Sequence, residues 1–153
     1  MNEVTGDSRP SDPYDLERFT AAQEPIYSTA LAEIRNGRKQ SHWMWYVFPQ
    51  FDGLGNSGTS RFYALKSLDE ARAYLGHPVL GTRLLECAGA LLRVTGRSAA
   101  EIFGSPDDVK LRSSATLFAA VSPDGSVFHR IIAKYFDDRD DELTHRLIRD
   151  GRL

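Results

Sequence analysis

The sequence predicts an all-α protein: a compact bundle of about seven helices in a single domain, with a buried aromatic helix at residues 42–48. Three observations lead to this prediction. Apolar residues recur at helical spacing through most of the chain, and residues typical of helix starts precede most of these stretches. The length of 153 residues suits one hydrophobic core. We therefore expect a flexible tail at residues 1–11 and one helical domain at residues 12–150.

The first two helices are predicted from a cap and a break. Asp12 can cap a helix that has Pro13 at its first position, where the missing N–H costs nothing. Pro25 favours an interruption before a second amphipathic stretch that ends near Gly37.

Two helices are predicted in the middle of the chain. Ser67 and Glu70 match a capping box, in which each side chain accepts a hydrogen bond from the other's backbone N–H, and this helix ends at Gly76. A longer amphipathic helix follows and ends near Gly96. Cys87 lies on its apolar stripe, so we expect an inert thiol in the core.

The remaining helices also have recognisable starts. Ser98 and Glu101 form a second capping box at the start of a short helix. Ser105, followed by proline and two aspartates, is the strongest helix start in the chain and predicts a cap there. Two more amphipathic helices are predicted at 127–136 and 140–149.

The most unusual segment is 41–50, which contains both tryptophans. A central buried strand would explain its two apolar faces, but its only plausible partner, 116–121, belongs to a well-capped helix. With Ser41 as cap and Pro49 as stop, residues 42–48 become two turns of helix, apolar on all sides and therefore buried.

Composition excludes several classes of protein. The net charge of −2 does not favour non-specific nucleic-acid binding, and no apolar run reaches the roughly 20 residues of a spanning helix. One cysteine cannot form an intrachain disulfide, which fits a cytoplasmic protein. The acidic run 137–142 lacks the spacing of a calcium loop, so no metal or cofactor is predicted.

Candidate site residues flank and occupy the aromatic run. On a helix, His42 would lie near Lys39 and beside Trp45, where an imidazole can accept or relay a proton. Trp43 and Trp45 could stack on a planar ligand. The alternative for His42 is a core histidine with one satisfied hydrogen bond.

The glycine-rich segment after Gln50 is a candidate anion site. Gly53 and Gly55 permit close approach of the backbone to a ligand, and Ser57 and Arg61 add donors, so successive amides could form a nest for phosphate. The alternative is a long turn.

A third set of candidates lies on the helix that follows Ser105. Asp107, Lys110 and Ser114 are predicted to share a face that could position a substrate, with Leu111 and Phe118 opposite them, towards the core. The alternative is a solvated face with an Asp107–Lys110 ion pair.

Several sequence blocks carry a resemblance to a known family. They are Asp15-Leu16-Glu17-Arg18-Phe19, Gly37-Arg38-Lys39, Ser41-His42-Trp43-Met44-Trp45, Phe48-Pro49-Gln50, Gly53-Leu54-Gly55, His77-Pro78-Val79-Leu80-Gly81, Ile102-Phe103-Gly104 and Thr116-Leu117-Phe118. From about Tyr14 to Leu147 the chain resembles the mainly bacterial domain-of-unknown-function family numbered 1810. The resemblance implies a compact all-α fold and no established reaction. Some members carry the label calpastatin, but that inhibition uses disordered repeats, which are absent from this sequence.

Two functional hypotheses follow. The first is a site for a phosphate-bearing, nucleotide-like small ligand, with His42, Asp107 and Lys110 as catalytic candidates for hydrolysing an N-glycosidic bond of an ADP-ribose-type compound. The second is a non-catalytic interaction domain whose partner protein is unknown, with Trp43 and Trp45 as partly exposed anchors. The convergence of Lys39, His42, Arg61, Asp107 and Lys110 on one pocket would favour the first.

Overall fold

Helices make up almost all the regular structure of residues 11–151, the part of the chain that the computed structural model describes. In chain order they are α1 (Glu17–Gln23), α2 (Tyr27–Arg35), α3 (Met44–Val47), α4 (Gly58–Tyr63), α5 (Leu68–Gly76), α6 (Leu80–Arg93), α7 (Ala99–Phe103), α8 (Asp107–Ala120), α9 (Val127–Phe136) and α10 (Glu142–Gly151). Within this part there is no strand, only an isolated bridge between Phe51 and Leu65. The all-α prediction is confirmed, with ten helices in place of about seven. Apart from Ser11, the predicted tail at 1–11 lies outside the described residues.

Helix α8 lies at the centre of the fold. From Leu111 to Phe118 each of its side chains except Arg112 is buried, and it packs against α5, α7, α9 and α10. Ser114 is therefore buried on the same side as Leu111 and Phe118. The prediction that those apolar residues lie opposite Ser114 was wrong, because positions four apart on a helix are neighbours.

The predicted start of α1 needs a correction. The helix begins at Glu17, four residues beyond Pro13, and Asp15 has a positive φ of 53°. Asp12 still provides hydrogen-bond acceptors at the start of α1, because its carboxylate accepts the backbone N–H groups of Leu16 at 2.8 Å and Glu17 at 3.0 Å. The expected break at Pro25 lies between α1 and α2.

Of the three helix starts predicted at serine residues, only one has the full predicted geometry. Ser98 and Glu101 form the complete capping box. Ser67 accepts the N–H of Glu70, but the Glu70 carboxylate binds the N–H of Lys66 and the guanidinium of Arg18, so that box is only half formed.

At α8 the predicted cap was wrong. Pro106 occupies the N-cap position, no side chain caps the helix, and the Ser105–Pro106 peptide bond is cis. The helix forms nevertheless, because its middle two turns are almost completely buried.

The aromatic segment forms less helix than expected. Only one turn, α3, is helical, and Ser41 does not cap it, because its side chain bonds to Glu33. Trp43 is 0% exposed, whereas Trp45 is half-buried and His42 is exposed. The prediction of a helix buried on all sides was therefore wrong for three of its positions, His42, Trp45 and Tyr46.

The core joins residues from almost every helix. The Trp43, Phe48 and Phe103 rings pack edge to face or tilted at one end, and Tyr74, Phe118 and Phe128 do so at the other. Cys87 is fully buried on α6, and burial raises the pKa of its thiol to about 12, which agrees with the predicted inert core thiol. No helix in the described part is both long and apolar enough to cross a membrane.

Candidate functional site

The turn before α3 is organised by a buried glutamate that the sequence did not single out. Glu33, 8% exposed on α2, accepts the N–H groups of Gln40 and Ser41 at 3.0 Å, the Ser41 hydroxyl at 2.6 Å and the Trp43 indole N–H at 2.8 Å. Burial alone would raise its pKa. The four donors outweigh burial and lower the pKa of Glu33 to about 2. The turn thus depends on an ionised carboxylate.

Three of the predicted residues meet in an ion-paired cluster. The Lys39 ammonium lies 2.8 Å from one Asp107 carboxylate oxygen, and the Lys110 ammonium lies 3.7 Å from the other. Each ammonium also lies over an indole ring, Lys39 at 5.0 Å from the Trp43 centroid and Lys110 at 4.8 Å from that of Trp45. We call these five residues the lysine–tryptophan cluster.

The lysine–tryptophan cluster leaves little room for a ligand. The Lys39 side chain is 7% exposed and also donates to the Ser41 carbonyl, and the Trp43 indole is committed to Glu33. Lys110 and Asp107 are each 21% exposed, so the cluster is open to solvent only along the edge formed by these two side chains and the half-buried Trp45. The cluster therefore joins α3 to α8 and leaves few donors free.

Beside Trp45 there is a small niche that contains the predicted glycines. It is lined by Trp45, Gln50, Gly53, Gly55 and Ser60, among others, and its volume of about 10 Å³ holds about one water molecule. A drug-sized or nucleotide ligand needs several hundred Å³. The niche is too small for such a ligand.

The glycines serve packing inside the chain. A Cβ at Gly55 would lie 2.5 Å from the Ser60 hydroxyl, and Gly53, at φ +103°, lies against Leu147 of α10. Ser57 caps α4 by accepting the N–H of Ser60. The segment is thus a turn that folds onto its own chain and leads into a helix. This corresponds to the alternative interpretation of the glycine-rich segment.

His42 and Ser114 do not line the niche beside Trp45. His42 is exposed, and among the described residues the only hydrogen bond to it comes from the Tyr46 hydroxyl, which donates to its backbone carbonyl. The Ser114 hydroxyl is buried and has no hydrogen-bond partner within the described residues.

Arg61, in contrast, lines an open groove of about 500 Å³. We call it the Arg61 groove; it is lined by Pro13, Tyr14, Asp15, Arg18, Arg61, Phe62, Lys66 and Glu70. Two of its aromatic side chains are unusually exposed, Phe62 at 55% and Tyr14 at 36%. Its volume falls in the range of small-molecule sites.

Some charged side chains of the Arg61 groove form an ion pair, and others keep hydrogen-bonding capacity for a ligand. The Arg18 guanidinium and the Glu70 carboxylate form a buried ion pair at 2.8 Å. Arg61 donates to the Asn56 carbonyl and Lys66 donates to the Arg61 carbonyl at 3.3 Å, contacts that leave further N–H donors on both cations. The Asp15 carboxylate makes no hydrogen bond with described residues. Two cations thus face one unpaired carboxylate.

The predicted residues therefore do not converge on one pocket. Lys39, Asp107 and Lys110 meet in the lysine–tryptophan cluster, His42 is exposed beside it, and Arg61 belongs to a separate groove. Within the described residues no group of histidine, cysteine, aspartate and glutamate side chains could hold a metal ion.

Comparison with known proteins identifies the family. The family model described as protein of unknown function (DUF1810) matches residues 13–148. The chain belongs to the DUF1810 family. A crystal structure of similar fold, the conserved hypothetical protein Rv1873 from Mycobacterium tuberculosis, is 50% identical, with a TM-score of 0.88 over 90% of this chain and 99% of that one. No curated protein matches the chain.

Membership of DUF1810 confirms the family resemblance, and that resemblance did not point to the groove. Sequence reasoning missed Tyr14, Arg18, Phe62 and Lys66, because nothing local separates an exposed Phe62 from a core aromatic residue. It also missed Glu33, whose position on the buried stripe of α2 was a usable signal: a buried carboxylate requires several donors.

Proposed function

We propose that this DUF1810 protein binds a phosphate-bearing, nucleotide-like small molecule in the Arg61 groove. The observation that carries the proposal is the combination of Arg61 and Lys66, two cations with spare donors, with the exposed rings of Tyr14 and Phe62 in one groove of about 500 Å³. Cations bind phosphate through charge-assisted hydrogen bonds, and aromatic rings stack on bases.

The accessible ring of Phe62 supports a ligand with a planar ring. The Phe62 ring packs against the Tyr63 ring, with centroids 4.8 Å apart and planes at 86°. This contact holds the Phe62 ring on one side, while more than half of the residue remains exposed to solvent. A rigid exposed ring loses little entropy on binding.

Hydrolysis of an N-glycosidic bond is the finer part of the proposal. Water would attack the anomeric carbon of the ribose and lose a proton to a carboxylate, while the carbon–nitrogen bond breaks and its electron pair stays on the nitrogen of the base. In NAD this electron pair neutralises the pyridinium ring, so nicotinamide leaves without a proton. Asp15 carries the carboxylate of the groove that has no partner in the described residues, so it takes the base role that the sequence assigned to His42 or Asp107.

Titration calorimetry with ADP-ribose, NAD and AMP tests binding. We expect Arg61→Ala and Phe62→Ala each to weaken ADP-ribose binding about tenfold, because a charged hydrogen bond and a stacked ring are each worth one or more kcal/mol. Arg72→Ala is the matched control, because Arg72 is 56% exposed and, within the described part of the chain, pairs only with Asp69 on the same helix.

Two outcomes would contradict the proposed site. No heat with any of the three compounds on folded protein would remove the ligand proposal. A loss of binding with Lys110→Met and not with Arg61→Ala would move the site to the lysine–tryptophan cluster. Release of nicotinamide from NAD, abolished by Asp15→Asn with binding retained, is the result expected for the hydrolytic step.

The same exposed Phe62 favours a second candidate, a non-catalytic interaction domain. Phe62 would then be the anchor, in place of Trp43, which is completely buried. Binding of an acidic peptide that Phe62→Ala abolishes, without binding of ADP-ribose, would favour this alternative.

A further inference from the structure

A single buried side chain joins the two walls of the Arg61 groove. Arg18 of α1 donates five hydrogen bonds: from Nε to the Phe62 carbonyl at 2.8 Å, from Nη1 to the carbonyls of Tyr14 at 2.7 Å and Asp15 at 2.8 Å, and from Nη2 to the Ala64 carbonyl at 3.1 Å and Glu70 at 2.8 Å. Its side chain is 9% exposed. All the N–H donors that a guanidinium offers are therefore used within the protein.

The residues that Arg18 holds lie far apart in the sequence. One wall is the segment with Tyr14 and Asp15, just before α1. The other is the end of α4 with Phe62, 44 residues beyond Arg18. The hydrogen bonds of the Arg18 side chain to described residues go to the backbone of both walls and to Glu70, so this side chain fixes where the walls stand without offering a donor to a ligand.

The shape of the guanidinium suits this task and the shape of an ammonium does not. Five donors in a rigid plane bind several acceptors at fixed angles, whereas lysine concentrates three donors on one flexible nitrogen. Glu70 reinforces the arrangement, because its second oxygen accepts the N–H of Lys66, the residue that supplies one of the two free cations. Arg18 and Glu70 thus connect the Tyr14 wall with the Phe62 and Lys66 wall.

We infer that Arg18 is the positioning residue that sets the distance between these walls and so selects ligands that contact both. This inference rests on the proposed function. A ligand with a ring and a phosphate needs Tyr14 on one wall together with Arg61 and Lys66 on the other. Inorganic pyrophosphate needs only Arg61 and Lys66, which lie on the same wall.

The test compares two probes, ADP-ribose and inorganic pyrophosphate, on the wild type and on Arg18→Lys, by titration calorimetry. We expect the Kd of ADP-ribose to rise about tenfold in Arg18→Lys and the Kd of pyrophosphate to stay within about twofold. A residue with a merely structural role would not separate the two probes. Arg72→Lys is the matched control and should change neither Kd.

Chemical rescue gives a second readout. In Arg18→Ala, methylguanidine added well below denaturing concentration should restore ADP-ribose binding, because it can occupy the vacated position and bind the same carbonyls. Ethylammonium of similar size should not. The fold of each variant is checked by the emission of Trp43 in a Trp45→Phe background.

The outcomes distinguish failure of the proposed ligand binding from failure of the role assigned to Arg18. If the wild type binds neither probe, the proposed function fails and the inference falls with it. If the wild type binds ADP-ribose and a folded Arg18→Lys binds it equally well, or loses both probes equally, the positioning role is overturned while the proposed function stands. If Arg18→Ala does not fold, Arg18→Lys carries the test, and if neither variant folds the role assigned to Arg18 is overturned as purely structural.

Discussion

At the scale of single residues, Glu33 carries a negative charge inside the protein without forming an ion pair with any described residue. Four donors from the turn that precedes α3 take the place of water around its carboxylate. The Trp43 indole is one of these donors, which explains why Trp43 lies in the core while Trp45, two residues later, is half-buried.

The lowered pKa of Glu33 makes stability dependent on pH. A carboxyl group whose pKa falls from 4.5 to about 2 on folding contributes stability that is present above pH 4.5 and is lost as the pH falls towards 2. This shift in the pKa of Glu33 contributes on the order of 3 kcal/mol to the free energy of unfolding. We expect Glu33→Gln to be less stable than the wild type by about this amount at pH 7, because the amide NH₂ would face other donors.

Urea unfolding of wild type and Glu33→Gln at pH 7 and at low pH measures this difference. The difference in free energy of unfolding should become smaller as the pH falls from 4.5 to 2. Glu17→Gln, a substitution at an exposed position on α1, should show no such dependence on pH. A difference that stays constant over this range would mean that Glu33 acts through its shape and not through its charge.

At the scale of helices, α6 shows how closely two elements can approach. Gly81, in the first turn of α6, lies so near the end of α5 that a Cβ would be 1.9 Å from the Leu75 carbonyl oxygen. Gly89, two turns later on the same helix, would place a Cβ in open space. The two glycines therefore have opposite roles, one required by packing and one a weak point of the helix.

Alanine substitutions at these two glycines should have opposite effects. We expect Gly81→Ala to destabilise the protein by about 3 kcal/mol, because backbone of α5 must shift. Gly89→Ala should stabilise it by about 1 kcal/mol, because glycine is a poor helix former and nothing blocks the methyl group. Thermal unfolding of both variants against the wild type checks the signs. Stabilisation by Gly81→Ala would show that α5 and α6 are not held this closely.

At the scale of the whole molecule, the helices share one core. The buried rings form a connected series from Phe103 through Trp43 and Phe48 at one end, and the core cluster continues through α8 to Phe118 and Phe128. Helices this short are not stable alone, so their stability comes from packing on one another.

This dependence predicts one cooperative unfolding transition. In a Trp45→Phe variant all tryptophan emission comes from Trp43, which reports the core, while far-ultraviolet circular dichroism reports all helices. We expect the two denaturant transitions to coincide. Loss of helix signal at lower denaturant than the change in Trp43 emission would show that some helices unfold separately from the core around α8.

How far the sequence predicted this molecule depends on the range of the interactions concerned. The capping box at Ser98 and Glu101 and the break at Pro25 were predicted correctly, because caps and breaks depend on residues a few positions apart. The predicted cap at Ser105 was wrong, since Pro106 occupies the N-cap position of α8 and no side chain caps that helix. The need for glycine at position 81 could not be predicted from the sequence either, because it depends on how closely α5 approaches α6.

By itself the sequence determined that the chain is all-α, that its family is DUF1810, and where most helices begin and end, since periodicity and capping are local properties of a chain. Only the tertiary structure decided which side chains meet. It paired Lys39 with Asp107, 68 positions away, and set Arg61 into a groove whose opposite wall begins at Pro13. Contacts between distant segments depend on how whole helices pack, so no residue spacing could have assigned Arg18 to both walls.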